Sequence, residues 1–126
     1  MKVKSVSGFS CYVKNLAKTE KFYEFLGFDF KKKEDTRITG YMNWYSVDFI
    51  AIDSEQKSEF QKEAKADNKG DGIYINLSVD DVDHAYRELV ANGYKPSSQP
   101  RDWPWGNREF VLRDPDGYKL VFFKKK

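Results

Sequence analysis

One spacing relates the two halves of this chain. Val13 and Val79, Leu16 and Val82, Gly27 and Gly93, Phe28 and Tyr94, and Gly40 and Gly106 each stand 66 residues apart. Identities are few, but these are positions with structural jobs: strand ends, helix starts and glycines that stop helices. Self-similarity at one period is the mark of a duplicated supersecondary unit. The chain of 126 residues therefore reads as two copies of one unit.

The first copy opens with alternation. Phe9, Cys11 and Val13 alternate with Ser10 and Tyr12, which suits a strand. Asn15 is placed to cap a helix in which Leu16, Thr19, Phe22/Tyr23 and Leu26 recur at helical spacing. Gly27 is its expected left-handed stop. Strands are expected over 28–33, 37–45 and 49–52, then a short helix or excursion from Ser54 to Glu63. Residues 65–72 are polar with two glycines and read as a linker.

After the linker the pattern restarts. Ile75, Leu77 and Val79 alternate with Tyr74, Asn76 and Ser78. Asp80 or Asp81 caps a helix carrying Val82, Ala85/Tyr86 and Leu89/Val90 on its apolar stripe. Gly93 ends it, and Tyr94 is expected to start a strand. Residues 109–113 and 119–123 read as two strands joined by Asp114-Pro115-Asp116-Gly117. Pro115 presets φ, Asp114 bonds amides ahead of it, and Gly117 accepts positive φ. The fold class is α+β: two βαβββ repeats, about 1–64 and 73–126, within a single domain. Each unit leaves one sheet face uncovered by its own helix. Two units with helices outside then curl their strands around a shared, cavity-enclosing hollow.

Pleat parity assigns faces. Phe9, Cys11, Val13, Ile75, Leu77 and Val79 are expected to face the helices. Gly8, Ser10, Tyr12, Tyr74, Asn76 and Ser78 are expected to face the hollow, where small and hydrogen-bonding residues suit either a pocket or a solvated sheet face. Taking Gly40 with Gly106 as equivalent puts Tyr41, Asn43 and Tyr45 on that face in the first unit, and Asn107, Glu109 and Val111 in the second. Trp44 then matches Phe110 and belongs to the core. The loop before residue 107 carries Trp103 and Trp105 on either side of Pro104. Two indoles on a stiffened loop either line a site for something flat and apolar or close the end of a sheet.

Composition narrows the function classes. Aromatics reach 17% and charged residues 33%, which points to an aromatic interior or cavity inside a solvated shell. A net charge of +2 does not argue for nucleic acid. The runs Lys31-Lys32-Lys33 and Lys124-Lys125-Lys126 read as edge protection. Cys11 is the only cysteine, so neither an internal disulfide nor a cysteine metal knuckle can form. No apolar run nears the roughly 18 residues of a membrane span. The start, Met1-Lys2-Val3-Lys4, lacks a signal-peptide core, and a cytoplasmic setting is expected.

The paired units, the segments Tyr12-Val13-Lys14-Asn15-Leu16 and Val79-Asp80-Asp81-Val82-Asp83, and the Asp-Pro-Asp-Gly turn resemble the vicinal oxygen chelate superfamily over essentially the whole chain. That superfamily includes glyoxalases, extradiol dioxygenases and the fosfomycin and bleomycin resistance proteins. The stretch Pro104-Trp105-Gly106-Asn107-Arg108-Glu109-Phe110, with Leu112, Asp114, Pro115 and Gly117 after it, looks most like the bleomycin resistance branch. Members of that branch sequester a drug unchanged, as dimers with ligand grooves at the subunit junction. In them an N-terminal strand exchanges about a proline, and Lys4-Ser5-Val6-Ser7 has none.

Metal-dependent relatives hold their ion on four strands facing the hollow. Carried over by register, those positions are Gly8, Tyr74, Val121 and, in the first unit's last strand, Ile50. None supplies the N/O donors of Zn, Mn or Fe sites. The one histidine, His84, falls inside the second helix on its outer side. No metal and no cofactor are expected. No serine or cysteine has a histidine base in prospect, and no phosphate-cradling glycine pattern is present.

The resemblance implies a metal-independent binding protein, a homodimer, that sequesters a small amphipathic or aromatic molecule such as a bleomycin-type antibiotic. Trp103 and Trp105 would stack on it. Tyr41, Tyr45, Tyr74 and Asn76 would orient it, and Glu109 or Asp102 would meet a cationic tail. Arg108 and Glu109 have a second reading as a cross-strand ion pair. Two rivals stay open: a lyase, isomerase or dioxygenase-related enzyme working without metal through Glu109 or a tyrosine, and a metabolite-sensing module.

Overall fold

The computed structural model describes residues 1–42, 45–51, 59–67 and 69–126. The expectations for Asn43, Trp44, Ile52 and Ser54 lie outside the described residues. The chain divides into two compact units, Met1–Ala66 and Asp67–Lys126.

The first unit runs β1 (Gly8–Tyr12), α1 (Leu16–Phe25), β2 (Phe30–Lys33), β3 (Arg37–Met42), β4 (Tyr45–Ile50) and α2 (Glu59–Lys65). The second runs β5 (Tyr74–Ser78), α3 (Val82–Ala91), β6 (Arg101–Asp102), β7 (Asn107–Arg113) and β8 (Lys119–Lys125). Each builds an open four-stranded sheet of one topology, β1-β4-β3-β2 and β5-β8-β7-β6. The first and last strands of each unit pair parallel and the rest antiparallel. These are the two βαβββ halves of an α+β fold.

The repeat is closest at the helices. Asn15 Oδ1 accepts from Lys18 N–H at 3.0 Å, and Asp81 Oδ1 from His84 N–H at 2.9 Å. Such caps satisfy amides the helix itself leaves unpaired. Gly27 and Gly93 sit at φ 96° and 87°, past the helix ends, where a Cβ is disfavoured. After them Phe28 N–H bonds Tyr23 O and Tyr94 N–H bonds Leu89 O, both at 3.0 Å.

The two cores are built from the helix-facing side of each sheet. In the first, Tyr23 lies 4.3 Å from the Phe49 ring and 5.0 Å from Phe28, with Ile38 and Val13 buried beside them. In the second, Phe110 stacks on Phe122 at 4.8 Å and meets Tyr86 of α3 edge-on at 5.4 Å, over buried Leu89, Leu112 and Leu120. Each such ring or branched side chain contributes about 1.5–3 kcal/mol on burial. Much of the chain's aromatic content is therefore core.

Two expectations about elements change. Residues 94–100 form a loop, and the matching strand shrinks to Arg101–Asp102. Pro96 and Pro100 remove ladder donors, and Ser97 N–H to Val111 O (2.8 Å) and Val111 N–H to Ser98 Oγ (2.9 Å) tie the loop to β7. The 66-residue register also fails beyond the helices. Pairing makes Thr39, opposite Asp48, the counterpart of Val111, opposite Val121, so Gly40 and Gly106 are not equivalent. The second unit's loops are longer, and the offset grows to 72 (111 − 39) in the third strand.

The β7–β8 turn forms as its residues dictate. Asp114 Oδ1 accepts from the amides of Asp116 (2.8 Å) and Tyr118 (2.9 Å), and Gly117 sits at φ 94°. Lys69, from the expected linker, reaches under this turn to Asp116 at 2.7 Å, with side chains only 4% and 3% exposed. Among the described residues no helix is long and apolar enough to cross a membrane. Lys69→Ala leaves the Asp116 carboxylate buried without this cation, and is expected to lower unfolding free energy by about 3–5 kcal/mol in urea titration.

Candidate functional site

Strand register separates each sheet into a helix-facing side and an open side. In the second unit Tyr74, Lys119 and Arg113 form one row of the open side, and Asn76, Val121 and Val111 the next. Ser78, Phe123, Glu109 and Arg101 form the third. In the first unit the open side carries Ser10, Tyr12, Thr39, Tyr41, Ser46, Asp48 and Ile50. Cys11 and Val13 are buried on the helix side as parity predicts, whereas Phe9 is 55% exposed.

Tyr41, Tyr74, Asn76 and Glu109 thus lie on open sides, and three of them share the second sheet. Tyr45 does not join Tyr41. The strand expected over 37–45 ends at Met42, and a new strand starts at Tyr45. Reversal of the chain puts Tyr45 in register with Val47 and Phe49, and its ring stacks on Phe9 at 6.4 Å on the helix side.

Asp102 also leaves the group. It pairs with Arg108 in register, on the side opposite Glu109. Arg108 donates to Asp83 of α3 through Nε (2.9 Å) and Nη2 (2.8 Å), and to Asp102 through Nη1 (3.1 Å). Lys126 Nζ closes the chain on Asp102 at 2.6 Å. Arg108 and Glu109 are therefore not an ion pair: successive strand residues point to opposite faces. These contacts hold the Asp83 carboxyl below its usual range through Arg108, and that of Asp102 through Lys126 and then Arg108. A cleft of about 300 Å³ opens here, lined by Asp80, Asp83, Arg108, Lys124 and Lys126. Its charges face one another, and Lys124 Nζ donates to Asp80 O at 2.8 Å.

Trp103 and Trp105 stack on each other, ring centroids 4.6 Å apart and planes 12° apart. The guanidinium carbon of Arg101 lies 3.7 Å from the Trp103 ring centre, tying the pair to the open side. Trp105 is 62% exposed. At the far row Lys119 Nζ lies 4.2 Å from the Tyr74 ring centre. Cations over π faces are attracted by the ring quadrupole. Arg101, Arg113 and Lys119 escaped the sequence reading. Arg113 continues the alternation of Glu109 and Val111, and that signal was available. Lys119 needs the β7–β8 pairing.

Register also corrects the metal positions. Gly8 with Ser46 matches Tyr74 with Lys119, so the counterpart of Val121 is Asp48, not Ile50. Asp48 accepts from Thr39 Oγ1 at 2.6 Å. Of the four positions only Asp48 carries a carboxylate, and one such donor does not make the donor set of a metal site. Position 8 could hold no ligating side chain as built: a Cβ there would lie 2.2 Å from Ser46 O. Tyr74 already has an ammonium over its ring. Among the described residues no three His, Cys, Asp or Glu side chains group for a metal. His84 is on the outside of α3, 67% exposed and 3.6 Å from Glu88.

Two βαβββ halves with one strand order define a class of protein, and the family model agrees. The chain belongs to the Glyoxalase/Bleomycin resistance protein/Dioxygenase superfamily, matched over residues 6–122. It is similar to a glyoxalase/bleomycin resistance protein/dioxygenase from Nocardioides (TM-score 0.80, 16% identity, covering 99% of this chain and 85% of that one). It is similar also to a virulence protein from Salmonella typhimurium (0.75, 16%, all of both chains). A bleomycin-binding protein solved with bleomycin matches with TM-score 0.69 and 20% identity, over 98% of this chain and 100% of that one. At these identities the likeness is one of fold. No curated protein matches the chain.

Two outcomes test this geometry. Gly8→Ala forces Ser46 away and should loosen the β1–β4 pairing, costing about 1–3 kcal/mol by thermal denaturation. Carboxyls held low in the folded state contribute stability that is present above their unfolded value, near pH 4, and lost as pH falls through the lower folded value. Arg108→Gln should therefore lower the urea midpoint at pH 7, and the gap to the parent protein should close toward pH 2–3.

Proposed function

We propose that this protein binds a small, planar, amphipathic molecule without a metal ion and without changing it chemically, on the open side of its second sheet. The observation that carries the reading is the composition of that side. Tyr74 and Asn76 are exposed, Val111 and Phe123 are half-buried apolar neighbours, and the Trp103/Trp105 stack adjoins through Arg101. Exposed indole faces gain about 0.5–1.5 kcal/mol per aromatic pair beyond area burial. Trp105 supplies the ligand-facing indole, while Trp103 backs it. Tyr74 and Asn76 orient polar groups, and Glu109 adds an acceptor. Asp102 and Tyr45 serve the fold. The bleomycin-binding neighbour supports small-molecule binding and makes bleomycin-type drugs the first compounds to try.

The protein acts as a homodimer in this reading. β1 is an edge strand, and Val3, Val6 and Phe9 stand exposed at and before it. Edge strands with apolar surroundings invite pairing. Its setting is the cytoplasm.

Titration of tryptophan emission with bleomycin and a panel of planar aromatics should give saturable quenching for at least one compound. Trp105→Ala should weaken binding of that compound about three- to tenfold, in line with one aromatic pair. Native mass spectrometry of the same sample should report two chains. A flat response across the panel would end the binding proposal.

A further inference from the structure

The open side of the second sheet carries an uncompensated charge of one sign. Arg101, Arg113 and Lys119 are in register there, against the single carboxylate of Glu109. Among the described residues none of these cations makes an ion pair. Arg101 lies over Trp103, Lys119 over Tyr74, and Arg113 Nη1 donates to Gly117 O at 2.9 Å. The contrast with the helix side is sharp. There Arg108 and Lys126 are each matched to a carboxylate, and Lys124 to a carbonyl. The chain bears 22 basic and 20 acidic residues, so overall composition does not impose this excess.

From this arrangement we infer that the ligand is an acid: a planar aromatic ring system bearing a carboxylate. The inference rests on the binding face proposed above and names its ligand class. Arg113 and Lys119 are directly opposite one another on adjacent strands. With Nη1 of Arg113 engaged by Gly117, its Nε/Nη2 edge is left as a fork for a planar two-oxygen acceptor. Lys119, its neighbour in the row, adds a second positive charge over the Tyr74 ring. The ring then lies along half-buried Val111 and Phe123 toward the indoles. Four residues separate the Tyr74 and Ser78 rows, about 13 Å at strand rise, which suits a two- or three-ring molecule. A cationic tail would meet this excess of positive charge with only Glu109 to receive it.

The test uses three probes of one shape: 2-naphthoate, 2-naphthamide and 2-naphthylmethylamine. Binding to the intact protein is measured by calorimetry at low salt. Naphthoate should bind about tenfold more tightly than the amide, roughly 1.4 kcal/mol, and tighter still than the amine. That preference should shrink as salt approaches 0.5 M, because exposed charges are screened. Arg113→Gln with Lys119→Gln should abolish the preference while retaining binding of the amide, and the amide doubles as the check that the variant is folded. Equal binding of all three probes, or a preference for the amine, overturns the inference and leaves the binding face standing. Failure of all three to bind overturns both.

Discussion

The parallel pairing of the first strand with the last in each repeat is the constraint on which the rest of the structure depends. It places β4 and β8 inside their sheets, flanked on both sides, and sets which residues stand opposite one another. Because strand side chains alternate, one register decides the membership of both faces. On the helix side it gathers Cys11, Phe49 and Ile38, and in the second unit Leu77, Phe122 and Phe110. The open side receives what is left, and in the second unit that is charged, aromatic and hydrogen-bonding.

Charges are divided by the same partition. Arg108 and Glu109 are neighbours in sequence and strangers in space. Arg108 holds β7 to α3 through Asp83 and to β6 through Asp102. Glu109 is left to the open side among cations. A buried pair, Lys69 with Asp116, fastens the segment ahead of β5 to the β7–β8 turn. Such a pair contributes little net free energy after desolvation, but losing one partner is costly, so it holds one arrangement rather than adding much stability.

Metal chemistry of the superfamily depends on donors at four equivalent strand positions. Here the backbone supplies the positions and the side chains decline the role. Gly8 is crowded by Ser46, Tyr74 is covered by Lys119, Val121 is apolar, and Asp48 alone could donate. A fold can outlast a site because strand pairing needs only backbone groups and a packed helix side.

Local rules in the sequence determined the repeat, the two helices with their caps and stops, the Asp-Pro-Asp-Gly turn and the α+β class. The caps, the stops and the turn each depend on residues within about five positions of one another, where propensity and hydrogen-bonding reach are decisive. Alternation likewise placed Tyr74, Asn76, Glu109 and Val111 on one face. Tertiary structure alone decided the rest. The β3–β4 reversal carried Tyr45 away from Tyr41, cross-strand register exchanged Ile50 for Asp48, and the helix α3 carboxylate of Asp83 drew Arg108 and Asp102 into a structural network. These outcomes turn on which strands lie side by side and at what offset. Loop length and long-range pairing set that offset, and neither is written in the local pattern.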